Sequence, residues 1–230
     1  MPSLESILPD LRYVHKAVQP QMPDIVRRAL SAGAQPPLEY MGAGGTAVVL
    51  CDARGHAFKV SRWPDSPMLS DEAEWLASAA KVPGVKEHVA RFYAYHPEEV
   101  IVERECVAAD DEENEWRWRR GHDLFDLHQR IATLMEKHAD WSAPEYKDDS
   151  FIVTKDRGPV LVDAGFVNRL GHRLLEYTKD VLDGRRPWRK METPSDLAFY
   201  LRREVQEGAL IEAEVAPVAR RLLALSSKHS

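Results

Sequence analysis

The stretch Ala57-Phe58-Lys59-Val60 decides how this chain folds, because it places a lysine within a short β-strand candidate. A lysine that points inward from a strand is costly to bury unless anionic groups pair with it. Two more strand candidates precede it, at residues 38–40 and 47–51, and turn residues fill the gaps between them. Such gaps are typical of hairpins, so we predict three antiparallel strands with Lys59 on the third.

A glycine cluster, Gly42-Ala43-Gly44-Gly45-Thr46, fills the first of these gaps. Glycines let a backbone approach phosphate oxygens closely, and the small Ala47 keeps that approach open. Gly42, Gly44, Gly45 and Thr46 are therefore candidates for binding a phosphate group. By itself, the cluster is also typical of an ordinary glycine-rich hairpin turn.

A helix predicted from Glu72 to about Lys81 offers a partner for Lys59. Glu72 lies at its start, from which the carboxylate can reach back to the lysine ammonium. Glu74 is the alternative partner. We favour Glu72, because the neighbours of Glu74 on the helical wheel are less apolar.

A third candidate site is an aspartate at the end of a strand. The apolar run Val160-Leu161-Val162 leads into Asp163-Ala164-Gly165. An aspartate held there can ligate a Mg²⁺ ion that bridges the phosphates of a nucleotide. The alternative is a strand that ends in a turn containing an aspartate.

The remaining elements follow from apolar spacing. It predicts helices over residues 4–18 and 22–32 before the sheet, and two more strands at 89–95 and 100–106, which bring the sheet to five. Beyond residue 121 we predict a helix that ends near His138 and a hairpin of strands at 151–154 and 160–163. Three further helices are predicted at 171–183, 194–206 and 210–225.

Taken in order, five features resemble the motifs of the protein-kinase-like superfamily: the Gly42–Val49 loop, Lys59, Glu72, a hinge at Glu103–Cys106, and Asp163-Ala164-Gly165. The resemblance covers about residues 37–205. It depends on the order and spacing of several motifs, none of which would suffice alone. It implies ATP and Mg²⁺ as cofactors, with Glu103 among the nucleotide-binding residues.

The same resemblance implies an α+β fold of the bilobal protein-kinase-like type. Residues 1–36 would form an N-terminal helical extension. Residues 37–106 would form the N-lobe, with its five-stranded antiparallel sheet, and residues 107–230 a reduced helical C-lobe.

The segment 138–150 departs from the family pattern, which has His-Arg-Asp and, five residues after the Asp, an Asn. Counting back from Asp163 puts Ser150 in place of the Asn and Glu145 in place of the catalytic Asp. The other alignment takes His138-Ala139-Asp140 as the motif, needs inserted residues, and makes Asp149 the metal ligand. We favour Asp140 slightly as the carboxylate that orients the acceptor, and Glu145 stays a candidate.

These features favour ATP- and Mg²⁺-dependent transfer of a γ-phosphoryl group to a hydroxyl, on a protein Ser or Thr rather than a small molecule. Lys59 would position the phosphates and Glu72 would position Lys59. Asp163 would bind the metal, assisted by Asp149 or Ser150. The alternatives are a pseudokinase that binds a protein partner without transfer, and a small-molecule kinase of the antibiotic-resistance type.

The segment after Gly165 is short, because a helix is predicted to begin near Gly171 or His172. It leaves no room for a long activation loop. Control by phosphorylation of such a loop is therefore not expected.

The composition argues against a nucleic-acid-binding protein and against a membrane-spanning one. The chain has 230 residues and a net charge of −6, so it has no field that would attract nucleic acid. It lacks the run of about 18 apolar residues that a membrane span needs, and the basic-then-apolar pattern of an ordinary signal peptide. Cys51 and Cys106 form no Cys-x-x-Cys pair. We therefore expect no disulfide framework and a cytoplasmic location, with non-classical secretion left open.

Three weaker features have plain interpretations. The acidic run within residues 110–115 is typical of a solvated loop. Trp116 and Trp118 more often anchor a loop than stack on a ligand. His122 and Asp126 have a spacing that could share a metal, although a solvated helix end is the simpler interpretation.

Overall fold

Five strands form one antiparallel sheet. A computed structural model describes residues 7–63, 68–109, 121–188 and 192–226. The strands are β1 (Glu39–Ala43), β2 (Ala47–Cys51), β3 (His56–Ser61), β4 (Phe92–His96) and β5 (Ile101–Glu105). Their order across the sheet is β1-β2-β3-β5-β4, and every neighbouring pair is antiparallel. The predicted five strands are therefore confirmed.

The register of the sheet assigns its residues to two faces. Lys59 pairs with Val102, and Ala57 pairs with Arg104. Cross-strand partners project from the same face, as do residues two apart on one strand. Lys59 and Arg104 therefore share one face, whereas Phe58 and its partner Glu103 project from the other.

One helix packs on each face of the sheet. Helix α1 (Met22–Ser31) covers the face that carries Phe58, and helix α2 (Met68–Ala79) contacts β4 and β5. The apolar residues of the α1 contact are fully buried, namely Met22, Ile25, Val26 and Ala29 against Val48, Leu50, Phe58, Val60 and Ile101.

The helix predicted over residues 4–18 is wrong for the part that the structure describes. Residues 7–18 form turns, and a short 3-10 segment follows at Gln19–Gln21. Pro9 explains the difference, because a proline inside a helix removes a backbone donor and clashes with the preceding turn. Val14 and Val18 are nevertheless buried against α1. The apolar spacing therefore indicated which residues are buried, not that they form a helix.

A second layer lies below the sheet. It consists of helix α3 (Gly121–Ala139) and a hairpin of β6 (Phe151–Thr154) and β7 (Gly158–Leu161). One core joins this layer to the sheet and α2, and it includes Trp75, Leu76, Val102, Met135, Trp141, Phe151 and Leu161. The hairpin is therefore held in place beneath the inner face of the sheet.

Three helices complete the chain: α4 (Gly171–Leu182), α5 (Pro194–Gln206) and α6 (Glu212–Ser226). They share a core of their own that includes Leu174, Leu197, Leu201, Val215 and Leu222. A capping box between Thr193 and Asp196 begins α5 where the sequence predicted it. The three predicted helices are confirmed, with ends shifted by at most two residues.

The expectation about the cysteines was wrong. Cys51 at the end of β2 and Cys106 just after β5 are joined by a disulfide, with their Cα atoms 6.0 Å apart. Strands β2 and β5 both pair antiparallel with β3, so the C-terminal end of each lies beside the start of β3. This arrangement brings the two cysteines together. Since the cysteines are not free thiols, cysteine usage no longer supports a reducing compartment.

Several predicted features lie outside the described residues, namely the acidic run within 110–115, Trp116, Trp118 and the side chain of His122. Within the parts that are described, no helix is both long and apolar enough to cross a membrane.

Candidate functional site

Three separate elements meet at the ammonium group of Lys59. Its Nζ donates to Oε2 of Glu72 at 2.6 Å and to Oδ1 of Asp163 at 2.7 Å. Lys59 lies on β3, Glu72 on α2, and Asp163 just after β7. Glu72, rather than Glu74, is therefore the residue that pairs with the lysine.

Burial makes these contacts strong. The Lys59 side chain is 9% exposed and that of Glu72 only 1%. Burial acts to lower the pKa of Lys59, but the carboxylates of Glu72 and Asp163 raise it above its ordinary value. Burial likewise acts to raise the pKa of Asp163, but Lys59 and the backbone N–H of Gly165 lower it. Lysine and aspartate are therefore both charged at neutral pH.

Asp163 retains an oxygen that could ligate a metal ion. Its hydrogen bonds from Lys59 and from the Gly165 N–H both go to Oδ1, and its side chain is 47% exposed. Oδ2 accepts none from the described residues. A half-exposed carboxylate oxygen is the kind of ligand that Mg²⁺ prefers, so this residue fits the predicted metal.

Arg104 is a site residue that the sequence analysis missed. It is 5% exposed and lies on the same face of the sheet as Lys59. Burial lowers the pKa of its guanidinium, against the opposing effect of Glu72 and Asp163. The signal was present in Ile101-Val102-Glu103-Arg104, where the alternation places Arg104 on the inward face beside Val102.

Two polar atoms of this buried cluster lack partners. Nε of Arg104 and Oε1 of Glu72 make no hydrogen bond with any described residue. Buried polar groups are normally satisfied by protein, water or ligand. The cluster therefore has an unused donor and an unused acceptor for a bound polar molecule.

Gly44, Gly45 and Thr46 form the turn between β1 and β2, whereas Gly42 belongs to the end of β1. The N–H of Gly44 donates to the carbonyl of Ala47 at 2.9 Å. Side chains from the end of β3 tie the turn down, since Arg62 donates to the carbonyl of Gly44 at 3.2 Å. A Cβ atom added at Gly42, Gly44 or Gly45 would meet no atom within 4 Å. The space over the turn is therefore open. Thr46 follows Gly45 in this turn.

A second, exposed ion pair lies near Asp163. Lys147 Nζ is 2.8 Å from Oε2 of Glu145, and the two side chains are 46% and 56% exposed. The hydrogen bond from Lys147 to Glu145 raises the lysine pKa, with smaller effects from Asp163 and Asp149. Glu145, Lys147 and Asp149 therefore border the same charged region as Asp163.

Backbone contacts hold Glu145 in this position. Its N–H donates to the carbonyl of Gly165 at 3.4 Å. The buried His128 donates through Nε2 to the carbonyl of the preceding Pro144 at 2.9 Å. His128 thus anchors the backbone beside Glu145.

The structure places Asp140 elsewhere. Asp140 lines a cavity of about 310 Å³ with Arg169, Arg173 and Glu176, and none of Lys59, Glu72 and Asp163 lines it. Its carbonyl accepts from the N–H of Leu170 at 2.9 Å. The geometry therefore brings Glu145, and not Asp140, towards Asp163.

Glu103 also lies away from the cluster, because its side chain projects from the opposite face of the sheet. There it contacts Nδ1 of His56 at 2.7 Å and Nε2 of His96 at 3.0 Å. Its backbone lies on β5 between β3 and β4, in register with Phe58 and Ala94, so the structure does not bring the predicted nucleotide-binding residue Glu103 to the Lys59 cluster.

Ser150 and Asp149 lie on a short 3-10 turn before β6. Ser150 is buried, and its carbonyl accepts from the N–H of Val162 at 2.8 Å, which fixes the turn next to Asp163. In the described ranges, no group of three or more His, Cys, Asp or Glu side chains could hold a metal by itself. Mg²⁺ in nucleotide sites is commonly bound by only one or two carboxylates together with phosphates.

Comparison of the sequence with models of known protein families found no match, and a search of curated proteins also found none. The function proposed below is therefore based on the residues of the site.

Proposed function

We propose that this protein is an ATP- and Mg²⁺-dependent phosphotransferase with a bilobal, protein-kinase-like arrangement. The observation that carries the proposal is the contact of Lys59 with both Glu72 and Asp163, at 2.6 and 2.7 Å. In phosphotransferases of this class, a strand lysine, a helix glutamate and a metal-binding aspartate occur together in this order. The sheet with α2 would form the N-lobe, and the helical part the reduced C-lobe.

Each residue has a role that fits its surroundings. Lys59 would contact the α- and β-phosphates, held in place by Glu72. Asp163 would hold Mg²⁺ through its free Oδ2, with Asp149 or Ser150 assisting, and bound Mg²⁺ would neutralise charge on the phosphates. The open turn at Gly42, Gly44, Gly45 and Thr46 would cover the phosphates.

Glu145 is the better candidate for orienting the acceptor hydroxyl, because its backbone contacts Gly165, two residues after Asp163, and its side chain is exposed. Its carboxylate would accept a hydrogen bond from the hydroxyl, while Lys147 would offer a positive charge to the transferred group. The proposed acceptor is a Ser or Thr of a protein substrate. Catalysis would consist mainly of positioning and charge neutralisation.

A binding module without transfer is the second candidate. It is favoured by the replacement of the expected Asn by the buried Ser150 and by the ion pair that Glu145 already makes with Lys147. Such a pseudokinase would bind nucleotide or a protein partner through the same cleft.

A thermal-shift titration with ATP, with and without Mg²⁺, tests nucleotide binding. A ligand that binds only the folded state stabilises it, by about 2.7 kcal/mol at a hundredfold excess over Kd. We expect a Mg²⁺-dependent shift in the wild type that Lys59→Ala removes. The control is Lys86→Ala, at an exposed lysine whose ion pair is with Glu87. No shift at millimolar ATP would contradict the proposal.

Phosphoryl transfer is tested separately with Asp163→Ala. We expect transfer to fall to background, because the metal-binding carboxylate is lost, while the far-ultraviolet circular dichroism spectrum stays unchanged. Full transfer activity in this variant would contradict the metal assignment. A wild type that binds ATP with Mg²⁺ but transfers nothing to casein or myelin basic protein would favour the binding module.

A further inference from the structure

Helix α2 carries a second set of ion pairs on the side turned away from Lys59. Asp71 and Glu74 are three residues apart and lie on one face of the helix, whereas Glu72 points elsewhere. Nη1 of Arg169 is 2.8 Å from Oδ1 of Asp71, and its Nη2 donates to Oε2 of Glu74 at 3.1 Å. One guanidinium group therefore contacts carboxylates on both sides of Glu72 in the sequence.

Arg169 is itself held rigidly. Its side chain is 3% exposed, and its guanidinium lies 5.1 Å from the ring centre of Trp141 and 4.4 Å from that of Tyr177. Its backbone forms an isolated antiparallel bridge with Trp141. Because rings and backbone fix this arginine, it can act as a fixed anchor for a helix that packs against it.

Arg186 strengthens the same contact from a second position. Its Nη1 donates to Oε1 of Glu74 at 2.7 Å. Burial acts to raise the pKa of Glu74, but Arg169 and Arg186 lower it. The carboxylate is therefore charged at neutral pH, and both of its oxygens are engaged by arginines that come from beyond β7.

We propose that Arg169, assisted by Arg186, is a positioning residue that fixes α2 so that Glu72 remains against Lys59. This inference rests on the proposed function for its catalytic consequence. Residues 164–170 connect Asp163 directly to α4, and Arg169 belongs to this connection. Residues that follow Asp163 in the chain are therefore linked to α2 through the ion pairs of Arg169.

The ion pairs are suited to this task. A buried ion pair that loses one partner leaves an uncompensated charge, which is strongly unfavourable. A displacement of α2 would break the contacts of Asp71 and Glu74 together. One planar guanidinium contacts both carboxylates at once, Glu74 through a hydrogen bond and Asp71 through an ion pair, and this sets the orientation of α2 as well as its distance.

The test measures Lys59 directly and needs no enzymatic activity. The rate of acylation of Lys59 by an amine-reactive ester at one fixed pH, followed by peptide mass spectrometry, reports how often its amine is released from Glu72 and exposed to the reagent. We expect Arg169→Met to increase the labelling rate of Lys59 about tenfold or more, because the loss of one partner of a buried ion pair is strongly unfavourable. Arg186→Met should increase the rate less.

Two controls separate positioning from general loosening. Arg185→Ala removes a neighbouring arginine that pairs with Asp180 and Asp183 instead of α2, and should leave labelling unchanged. Leu197→Ala destabilises the core of the C-terminal helices, where Leu197 is fully buried, and should lower stability without exposing Lys59.

The outcomes are distinct. Unchanged Lys59 labelling in a folded Arg169→Met protein would overturn the inference, as would equal increases in the Leu197→Ala control. If Arg169→Met does not fold, Arg169→Lys and Arg186→Met provide the same test, and unchanged labelling in both overturns the inference.

The positioning role and the proposed transfer can fail separately. If labelling rises as expected but the wild type shows no phosphoryl transfer, the positioning role stands and the proposed transfer fails. Where transfer is measured, kcat should fall more than KM rises.

Discussion

The two ion-pair groups near Asp163 differ in their exposure. The side chains of Lys59 and Glu72 are 9% and 1% exposed, whereas those of Glu145 and Lys147 are 56% and 46% exposed. The buried group links three elements and has a fixed geometry. The exposed pair can exchange partners in water, so an incoming hydroxyl could reach Glu145. Under the proposed function, the buried group would hold the nucleotide and the exposed pair would receive the acceptor.

The largest expected effect concerns the acceptor side, and it compares Glu145→Gln with Asp140→Asn. A positioned general base typically contributes about 10²–10⁴-fold to a rate. We expect Glu145→Gln to lower kcat in that range, because Glu145 borders Asp163, and Asp140→Asn to leave it nearly unchanged. Steady-state phosphate transfer with each variant checks this. The reverse pattern would support the alignment that takes Asp140 as the catalytic carboxylate.

The second prediction compares how much each of the two ion-pair groups contributes to the free energy of unfolding. Removing one partner of a buried ion pair costs about 3–5 kcal/mol, whereas an exposed pair is worth less than about 1 kcal/mol. We therefore expect Glu72→Gln to reduce the free energy of unfolding by at least about 3 kcal/mol, and Glu145→Gln by under 1 kcal/mol. Urea denaturation of both variants measures this. Equal losses would show that burial does not distinguish the two groups.

The smallest effect is a pH dependence at acid pH. The folded-state pKa of Asp163 lies below its ordinary value of 3.8, so the unfolded chain binds a proton that the folded chain does not. The stabilisation is therefore present above about pH 3.8 and is lost as pH falls through the lowered value.

Denaturation of the wild type and Asp163→Asn between about pH 2 and 7 measures this contribution. The difference in the free energy of unfolding between the wild type and Asp163→Asn should be constant near neutrality and shrink below about pH 3.8. Glu145→Gln is the matched control, because its exposed carboxylate should give little difference at any pH. A difference for Asp163→Asn that grows on acidification would contradict the assignment of the lowered pKa.

Much of the fold was predictable because the elements have clear local patterns. The strands of the sheet and the helices after residue 170 combine regular apolar spacing with turn residues or caps, such as Thr193 before α5. The pairing of Lys59 with Glu72 was also predicted, with Glu74 as the alternative, although α2 begins at Met68 and not at Glu72, so that Glu72 lies in its second turn. The helix expected over residues 4–18 failed because apolar spacing alone does not separate a helix from buried turns.

The segment from Asp140 to Ser150 could not be assigned from sequence. It has no periodicity, and the alignment that needs no insertion competed with one that keeps a His-Ala-Asp motif. In the structure, the buried His128 bonds to the carbonyl of Pro144, and the N–H of Glu145 donates to the carbonyl of Gly165. These long-range contacts are the reason why Glu145 is the carboxylate that we propose for the acceptor. The disulfide between Cys51 and Cys106 was missed for a similar reason, since strand order sets the distance between those ends.

The sequence by itself determined the strands, most helices and the candidates Lys59, Glu72 and Asp163, because burial and turn formation depend on neighbouring residues. Only the tertiary structure decided which charges meet across long separations. Lys59 contacts Asp163, which is 104 residues away, and Arg169 contacts Glu74, 95 residues away. Such pairs form because the packed elements exclude water, and a buried charge is stable only where groups of opposite sign lie against it. Local sequence carries no record of that constraint.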